Sequence, residues 1–559
     1  MTPDKHSSAS RAATSRAGTT GATHPPCVAI IGAGITGLVA ASTLASAGAR
    51  VVVVESSARV GGKIRTEPFA GVSVDVGPDS FLARRPEAVD LCRQLGMADR
   101  LVAPAEKRAY VWSRGRLRPL PAGLMMGAPS RLSSVALSGI LSPWGTLRAG
   151  LDLVLPRTGG SEAYDPGSGY RGGSGAYDPG SGEDREDRKD REDREDRSIG
   201  ELVARRLGRE AASRLVDPLA GGVHAGSSFE LSAAMVFPQL LIAASKHRSL
   251  VLGLRREAAR TSSSTSHPGP MFFGLPEGLS TIPERLAGTL AGSGVDIRLL
   301  TPARSLLATS SGWIIEAGDD RIAADAVIIA SPARSAALLL ADVAQDAAAI
   351  LSRVEHASVG IVTMSYPADM LMHPPAGTGF LVPATEGTLV TACTWLSAKW
   401  PHLARPGQFL LRASVGRAHD RRFLDIDDAE LIEAVSKDLE SLMGISVPPL
   451  EAKVTRWHDA FPQYHVGHLE MIDAIDNALR GHPFLALAGP TIGGPGIPSC
   501  IATARTVAAG IATRLGLNST AAGQGTESAT APGALGAASA PGAPGVPGAR
   551  RLDDDSGGC

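Results

Sequence analysis

C-V-A-I-I-G-A-G-I-T-G, residues 27–37, is an apolar run that passes without a break into three glycines and then into an alanine-rich helical pattern. Residues 28–31 read as a buried parallel strand, apolar at every position and bounded by turn residues. Gly32 permits the tight turn, Gly34 lets backbone approach a pyrophosphate, and Gly37 lets helix and strand pack closely. The helix start then offers free amides and a positive dipole end to phosphates. A second apolar run, 51–54, ends at Glu55, roughly 20 residues beyond the first glycine, where a carboxylate can accept hydrogen bonds from a ribose. A glycine triplet alone is weak, because small residues also serve packing. Strand, turn, helix and acid in register read as a dinucleotide site.

The flanking sequence narrows the dinucleotide. After Glu55 comes S-S-A-R-V-G-G-K-I-R-T, whose Arg59, Gly61 and Gly62 extend the site beyond what an NAD-binding fold requires, so FAD fits better. Residues 485–501, L-A-L-A-G-P-T-I-G-G-P-G-I-P-S-C-I, add a strand, a glycine-rich loop and a helix. Such a loop can lay amides beneath an isoalloxazine ring and set a helix N-terminus near its pyrimidine side, where reduction accumulates negative charge. Read otherwise, Gly493, Gly494 and Gly496 form a flexible connection.

Further strands are expected at 326–330 and 484–488, and helices at 38–47, 281–290 and 502–515. This is α/β architecture, with one sheet drawn from the beginning, middle and end of the chain. Residues 199–216 read as helical, opened by a capping box of Ser198 and Glu201, and alternation over 369–383 suggests antiparallel sheet. The 559 residues carry 55 Lys+Arg against 56 Asp+Glu, a net charge of −1 that exerts no pull on polyanions. With only 4% aromatic residues there are few stacking platforms, so nucleic acid is excluded as a partner. Five dispersed cysteines, without C-x-x-C or a Cys/His cluster, argue against a metal or a disulfide framework and for a reduced, cytoplasmic setting. No apolar stretch reaches the ~18 residues a spanning helix needs, so membrane contact is expected to be peripheral. The arm 1–26, the charged insertion 157–197 and the Ala/Gly/Pro-rich tail 518–559 read as disordered on composition.

The R-x-G-G element and the C-terminal glycine loop resemble those of the amine-oxidase-like flavoprotein superfamily. G-P-D-S-F (77–81), R-R-L-G-R-E-A-A-S-R-L-V-D-P-L-A-G-G-V-H-A-G (205–226), P-Q-Y-H-V-G-H (462–468) and G-P-G-I-P-S-C-I (494–501) are similar to segments of oxygen-dependent protoporphyrinogen and coproporphyrinogen oxidases, most of all the soluble bacterial branch. The resemblance implies a discontinuous Rossmann-like FAD-binding domain at 27–105, 261–335 and 457–517. It also implies an inserted helical domain at 106–260 and an antiparallel-sheet substrate domain at 336–456. The implied activity is the six-electron oxidation of coproporphyrinogen III to coproporphyrin III, and of protoporphyrinogen IX as a further substrate, in haem biosynthesis, with FAD as cofactor, dioxygen as acceptor, peroxide as product and hand-over to other enzymes of the pathway.

Carried over by position, flavin contacts are expected at Gly32, Ala33, Gly34, Ile35, Thr36, Gly37, Glu55, Ser56, Lys63, Gly77, Pro78, Asp79, Ser80, Ala303, Trp457, Pro495, Gly496 and Ile497. Trp457 reads equally as a core aromatic, and Lys63 as a surface cation covering apolar area with its stem. Arg108 is expected to grip a propionate with two hydrogen bonds, with Arg85 and its neighbour Arg84 as second candidates. Val362 and Trp395 are expected to wall the macrocycle. No catalytic acid or base is nominated among His224, His458, His465 and His468, because hydride loss between two electron-rich pyrroles needs no strong base. Thr503-Ala504 stands where relatives often have Ser-Gly. Two other readings share the scaffold: an amine oxidase, with Cys500 near the position of a covalent flavin link, or a carotenoid desaturase. A third is a non-catalytic flavoprotein that handles porphyrin.

Overall fold

A computed structural model describes residues 24–125, 127–154, 196–263, 269–370 and 376–517. The parallel sheet runs in the order Asp296–Arg298, Arg50–Val54, Cys27–Ile31, Ala326–Ile329, Leu485–Leu487. Alternate residues of its central strand feed two cores. Val28 and Ile30 pack toward the helices Ile35–Ser46, Thr281–Gly292 and Ile497–Arg514. Ala29 and Ile31 face the meander Ala303–Thr309, Gly312–Ala317, Asp320–Ala324 and the helices Ala333–Leu340 and Gln345–Ser352. Covering both faces is what makes these strands apolar throughout, as the sequence indicates.

A second sheet has seven strands, in the order Glu451–Pro462, His356–Pro367, Gln408–Val415, Val390–Trp395, Gly379–Leu381, Tyr110–Ser113, Arg116–Pro119. All neighbours are antiparallel except Gly379–Leu381 with Tyr110–Ser113, which are parallel. One face packs on the Asp428–Met443 helix through Val362, Met364, Leu411, Val435 and Leu439. Asp427 and Glu430 form a capping box at the start of that helix, and Gly444 ends it at φ 75°. A helical region, including Pro143–Gly150, Ile199–Leu207 and Pro238–Lys246, gathers around Val203, Leu207, Leu215 and Leu240.

The structure differs from the sequence reading in four places. The 199–216 helix ends at Gly208 (φ 94°) and restarts, and Ala212–Gly221 is wound as a π-helix containing Pro218. Proline has no N–H to close an α-turn, and a wider turn accommodates that. Of the stretch 369–383, residues 371–375 lie outside the described residues; the rest holds the end of a single-turn 3₁₀ segment, Ala368–Met370, and the short strand Gly379–Leu381, the long strand lying earlier, at His356–Pro367. Residues 110–119, expected among the helices, form a hairpin at the edge of the second sheet. Strand Glu451–Pro462 runs through the boundary expected at 456, Arg456 and Trp457 pairing with Gly360 and Val359, and bulges only beyond it, before Phe461. The expected disordered arm, insertion and tail lie outside the described residues, apart from 24–26 and 196–197.

Candidate active site

Two helix starts build the centre of the site. Gly32, at φ 108°, donates its amide to Val54 O at 2.8 Å, and a Cβ there would crowd the Ala330 carbonyl. A Cβ on Gly37 would overlap the Gly32 carbonyl, so the helix can lie this close only with glycine. Gly34 is different: a Cβ there would meet no protein atom within 4 Å, which leaves open space above the first turn. That turn has no side-chain cap and no acidic residue, so its amides and dipole are uncompensated. Glu55 lies beside it, with Oε2 accepting from Ala33 N at 2.8 Å and Oε1 from Ser57 N at 2.9 Å. Ser56 is exposed next to it, and Thr301 N bonds Glu55 O just before the strand that Ala303 opens. Arg59 folds the following loop on itself, donating to the Val60, Gly62 and Ile64 carbonyls, while Gly61 N bonds Ala33 O at 2.8 Å.

The second helix start, Ile497–Arg514, follows Pro495 and Gly496 (φ 92°) and also lacks a side-chain cap and an acidic first turn. Cys500, one turn in, lies beside Thr36 of the first helix, where the two helices pack together. Burial pushes the Cys500 thiol up despite Thr36 and Lys63 nearby. Lys63 is half-buried, with Cys500 and His356 near enough to feel its charge and no ion-pair partner among the described residues, and burial pushes its ammonium down. Thr503 presses on Gly493, whose missing Cβ makes room for it. Tyr464 donates to Pro490 O at 3.0 Å and His468 Nε2 to Thr491 O at 2.8 Å, so P-Q-Y-H-V-G-H clamps the turn ahead of the glycine loop.

The segment 76–80 closes a third side. Val76 N bonds Arg65 O, and a Cβ on Gly77 would overlap the Lys63 carbonyl. Trp457 donates its indole N–H to Val76 O at 2.8 Å, which makes it part of this wall as well as a packing residue. The Asp79 carboxylate, to which Ser80 donates, accepts from Lys399 Nζ at 2.8 Å and Trp400 Nε1 at 3.2 Å, with Arg412 at 3.5 Å. Burial alone would raise its pKa, but Lys399 and Arg412 outweigh burial and hold it well below the carboxylate range. Asp79 is therefore committed through its side chain, and Pro78 brings no N–H.

The expected macrocycle wall is corrected by the parity of the sheet. Val362 and Trp395 are fully enclosed in the core beneath the Asp428–Met443 helix, Trp395 packing on Tyr110 and Phe380. Arg412 points from the opposite face toward Asp75, Gly77 and Asp79, and its register partners are Thr363 and Thr394. In a period-two strand, the face toward the 76–80 segment therefore carries Ile361, Thr363, Ser414, Ala392, Thr394 and Leu381, one position away from the expected residues. Leu381 meets the turn at Gly222, next to the exposed Val223. Arg108 is exposed, with no hydrogen bond or ion pair from its side chain among the described residues, while its carbonyl anchors Thr378. Arg85 is exposed at the start of helix Pro86–Gln94, 3.9 Å from Glu87, and Arg84 beside it is exposed too. Lys399, Trp400, Arg412 and the clamping role of Tyr464 and His468 escape the sequence reading; only the quoted motif marks the last two.

The family model for flavin containing amine oxidoreductases matches residues 35–512. The chain belongs to this family. This flavoprotein is 34% identical over 484 residues to coproporphyrinogen III oxidase of Bacillus subtilis, covering 85% of this chain and 95% of that one. It is 32% identical over 509 residues to coproporphyrinogen III oxidase of Propionibacterium freudenreichii, covering 85% and 89%. A crystal structure from Exiguobacterium, assigned provisionally as a protoporphyrinogen oxidase, superposes with TM-score 0.73 at 28% identity over 88% of this chain and 99% of that one. Cyclohexylamine oxidase of Brevibacterium oxydans superposes with TM-score 0.58 at 16% identity, a likeness of fold alone. FAD is the cofactor, and the chain fits it: two uncapped helix starts without acids, an open space over Gly34 and a carboxylate at Glu55. Among the described residues no helix is long and apolar enough to cross a membrane, and no cluster of side chains could hold a metal ion.

Proposed function

We propose that the protein oxidises coproporphyrinogen III to coproporphyrin III in porphyrin biosynthesis, accepting protoporphyrinogen IX as a second substrate. The observation that carries this reading is the joining of two helix starts, the 76–80 segment and a sheet face whose Ala392, Thr394 and Ser414 are half-buried, in a chain that matches nearly the whole length of relatives named coproporphyrinogen III oxidase. FAD, when bound, supplies a two-electron acceptor, so six electrons leave the macrocycle in three rounds, each ending with dioxygen carried off as hydrogen peroxide.

In this reading the chain contributes position rather than acid–base chemistry. Amides from Ala33 to Gly37 hold the pyrophosphate, Glu55 and Ser56 the ribose, and Ala303 the adenine side. Lys63, Gly77 to Ser80, Trp457 and Pro495 to Ile497 surround the ring. The small side chains of Ala392, Thr394 and Ser414 leave room for a flat macrocycle against the sheet, and Arg108 holds a propionate. His468 is occupied by the Thr491 carbonyl and His224 is enclosed. We assign the protein to the cytoplasm. Exposed Trp144, Leu147 and Val154 offer an apolar surface for peripheral membrane contact or hand-over of product.

The test supplies anaerobically prepared coproporphyrinogen, protoporphyrinogen and a simple amine to the purified yellow protein in air. Porphyrin fluorescence with about three peroxides per porphyrin is expected from two-electron turnover. Peroxide from the amine alone would overturn the reading in favour of an amine oxidase. Porphyrin binding without turnover would leave a handling protein.

A further inference from the structure

We propose that Arg412, together with Lys399, is a positioning residue that fixes the 76–80 segment at a set height over the substrate-facing sheet; the inference rests on the flavin site described above. Arg412 rises from the middle of the Gln408–Val415 strand and is only 9% exposed. One of its terminal nitrogens donates to two carbonyls of the segment, Asp75 O at 2.7 Å and Gly77 O at 3.0 Å, and the other lies 3.5 Å from the Asp79 carboxylate. Lys399, from the short helix Leu396–Lys399 that follows the neighbouring strand, reaches the same carboxylate at 2.8 Å, and Trp400 adds an indole N–H at 3.2 Å. Trp457, from a third strand, takes the intervening carbonyl of Val76. Carbonyls 75, 76 and 77 and the carboxylate of 79 are thus all gripped from one sheet.

A buried ion pair alone would need only charge. Here a planar guanidinium spans two backbone carbonyls and a carboxylate, which an ammonium on a flexible stem cannot reproduce. The face that carries Arg412 also carries Thr363 and Thr394 as its register partners, so the same strand position that grips the flavin segment borders the substrate surface. The consequence is geometric: the distance between ring and macrocycle is held by Arg412. A misplacement of about 1 Å costs on the order of a hundredfold in rate.

The experiment compares Arg412→Lys and Lys399→Arg holoenzymes with the parent by visible-region circular dichroism of the bound flavin, by thermal unfolding, and by kcat and KM with coproporphyrinogen. Arg412→Lys is expected to stay folded and yellow, to change the flavin dichroism, and to lose on the order of tenfold to a hundredfold in kcat with KM moving less than about twofold. Lys399→Arg, which keeps a cation on Asp79 but changes its shape, is expected to shift the flavin dichroism in the same direction with a smaller loss of kcat, on the order of a few-fold. Unchanged flavin dichroism or unchanged kcat in Arg412→Lys overturns the proposal, as does a loss that disappears on cooling well below its unfolding temperature. Should Arg412→Lys fail to fold, Lys399→Met replaces it under the same criteria. The dichroism needs no substrate, so failure of the porphyrinogen assignment would show separately, as a parent protein with bound flavin and no turnover.

Discussion

The Tyr464 hydroxyl donates to the Pro490 carbonyl at 3.0 Å, joining the end of the second sheet to the turn that opens the C-terminal glycine loop. Tyr464 is almost wholly buried and stacks edge-on to His468 at 5.0 Å, which holds the next carbonyl along. Tyr464→Phe removes the donor and strands a carbonyl, at a cost of about 1–3 kcal/mol. We expect a lower unfolding temperature and faster flavin loss on dilution. Parent-like values of both would show that the clamp is idle.

Gly34 and Gly37 separate binding from folding. Gly34→Val points into open space, so the protein should fold but retain no flavin, because the side chain occupies the approach to the pyrophosphate. Gly37→Ala places a methyl on the Gly32 carbonyl and should destabilise the fold itself by roughly 1–3 kcal/mol or more. Absorbance of the purified proteins, read beside their unfolding temperatures, checks both. A yellow, fully occupied Gly34→Val would contradict the placement.

Arg108→Ala should leave flavin content unchanged and raise KM for the tetracarboxylate by about tenfold or more, the loss of one charge-assisted contact. The dicarboxylate protoporphyrinogen should suffer less. Equal kinetics of variant and parent on both substrates would remove Arg108 from the site.

Burial pushes the His224 imidazole down to about 4 from its ordinary 6.5. The folded state thus binds its proton less readily than the unfolded chain. The stability it contributes is complete above pH 6.5 and is lost as pH falls toward 4, on the order of 3 kcal/mol in all. His356 and His468 shift in the same direction, also through burial. His224→Phe should therefore make the acid limb of a stability–pH curve shallower without abolishing it. An unchanged limb would mean that the imidazole is solvated in the folded protein.

What the sequence discloses here is what local geometry requires. Gly37 answers to the Gly32 carbonyl five residues back and Gly32 to its own φ of 108°, and the strands at 28–31, 51–54, 326–330 and 484–488 are apolar because both faces are covered; the structure has all four. The proposed substrate wall is different. Whether Val362 or Thr363 faces the 76–80 segment depends on which side the Asp428–Met443 helix covers, and a one-residue change of parity exchanges every side chain. Asp79 finds Lys399 and Arg412 more than 300 residues away, a pairing that no local pattern announces.

The last strand of the parallel sheet, Leu485–Leu487, pairs with Ala326–Ile329, and the helix after it touches the first helix through Cys500 and Thr36. A nascent chain therefore cannot close its nucleotide pocket until nearly all of it has left the ribosome. Cofactor capture becomes a late, post-translational event, and chains stalled or cut before residue 485 are expected to emerge as colourless, chaperone-dependent species rather than weakly active ones.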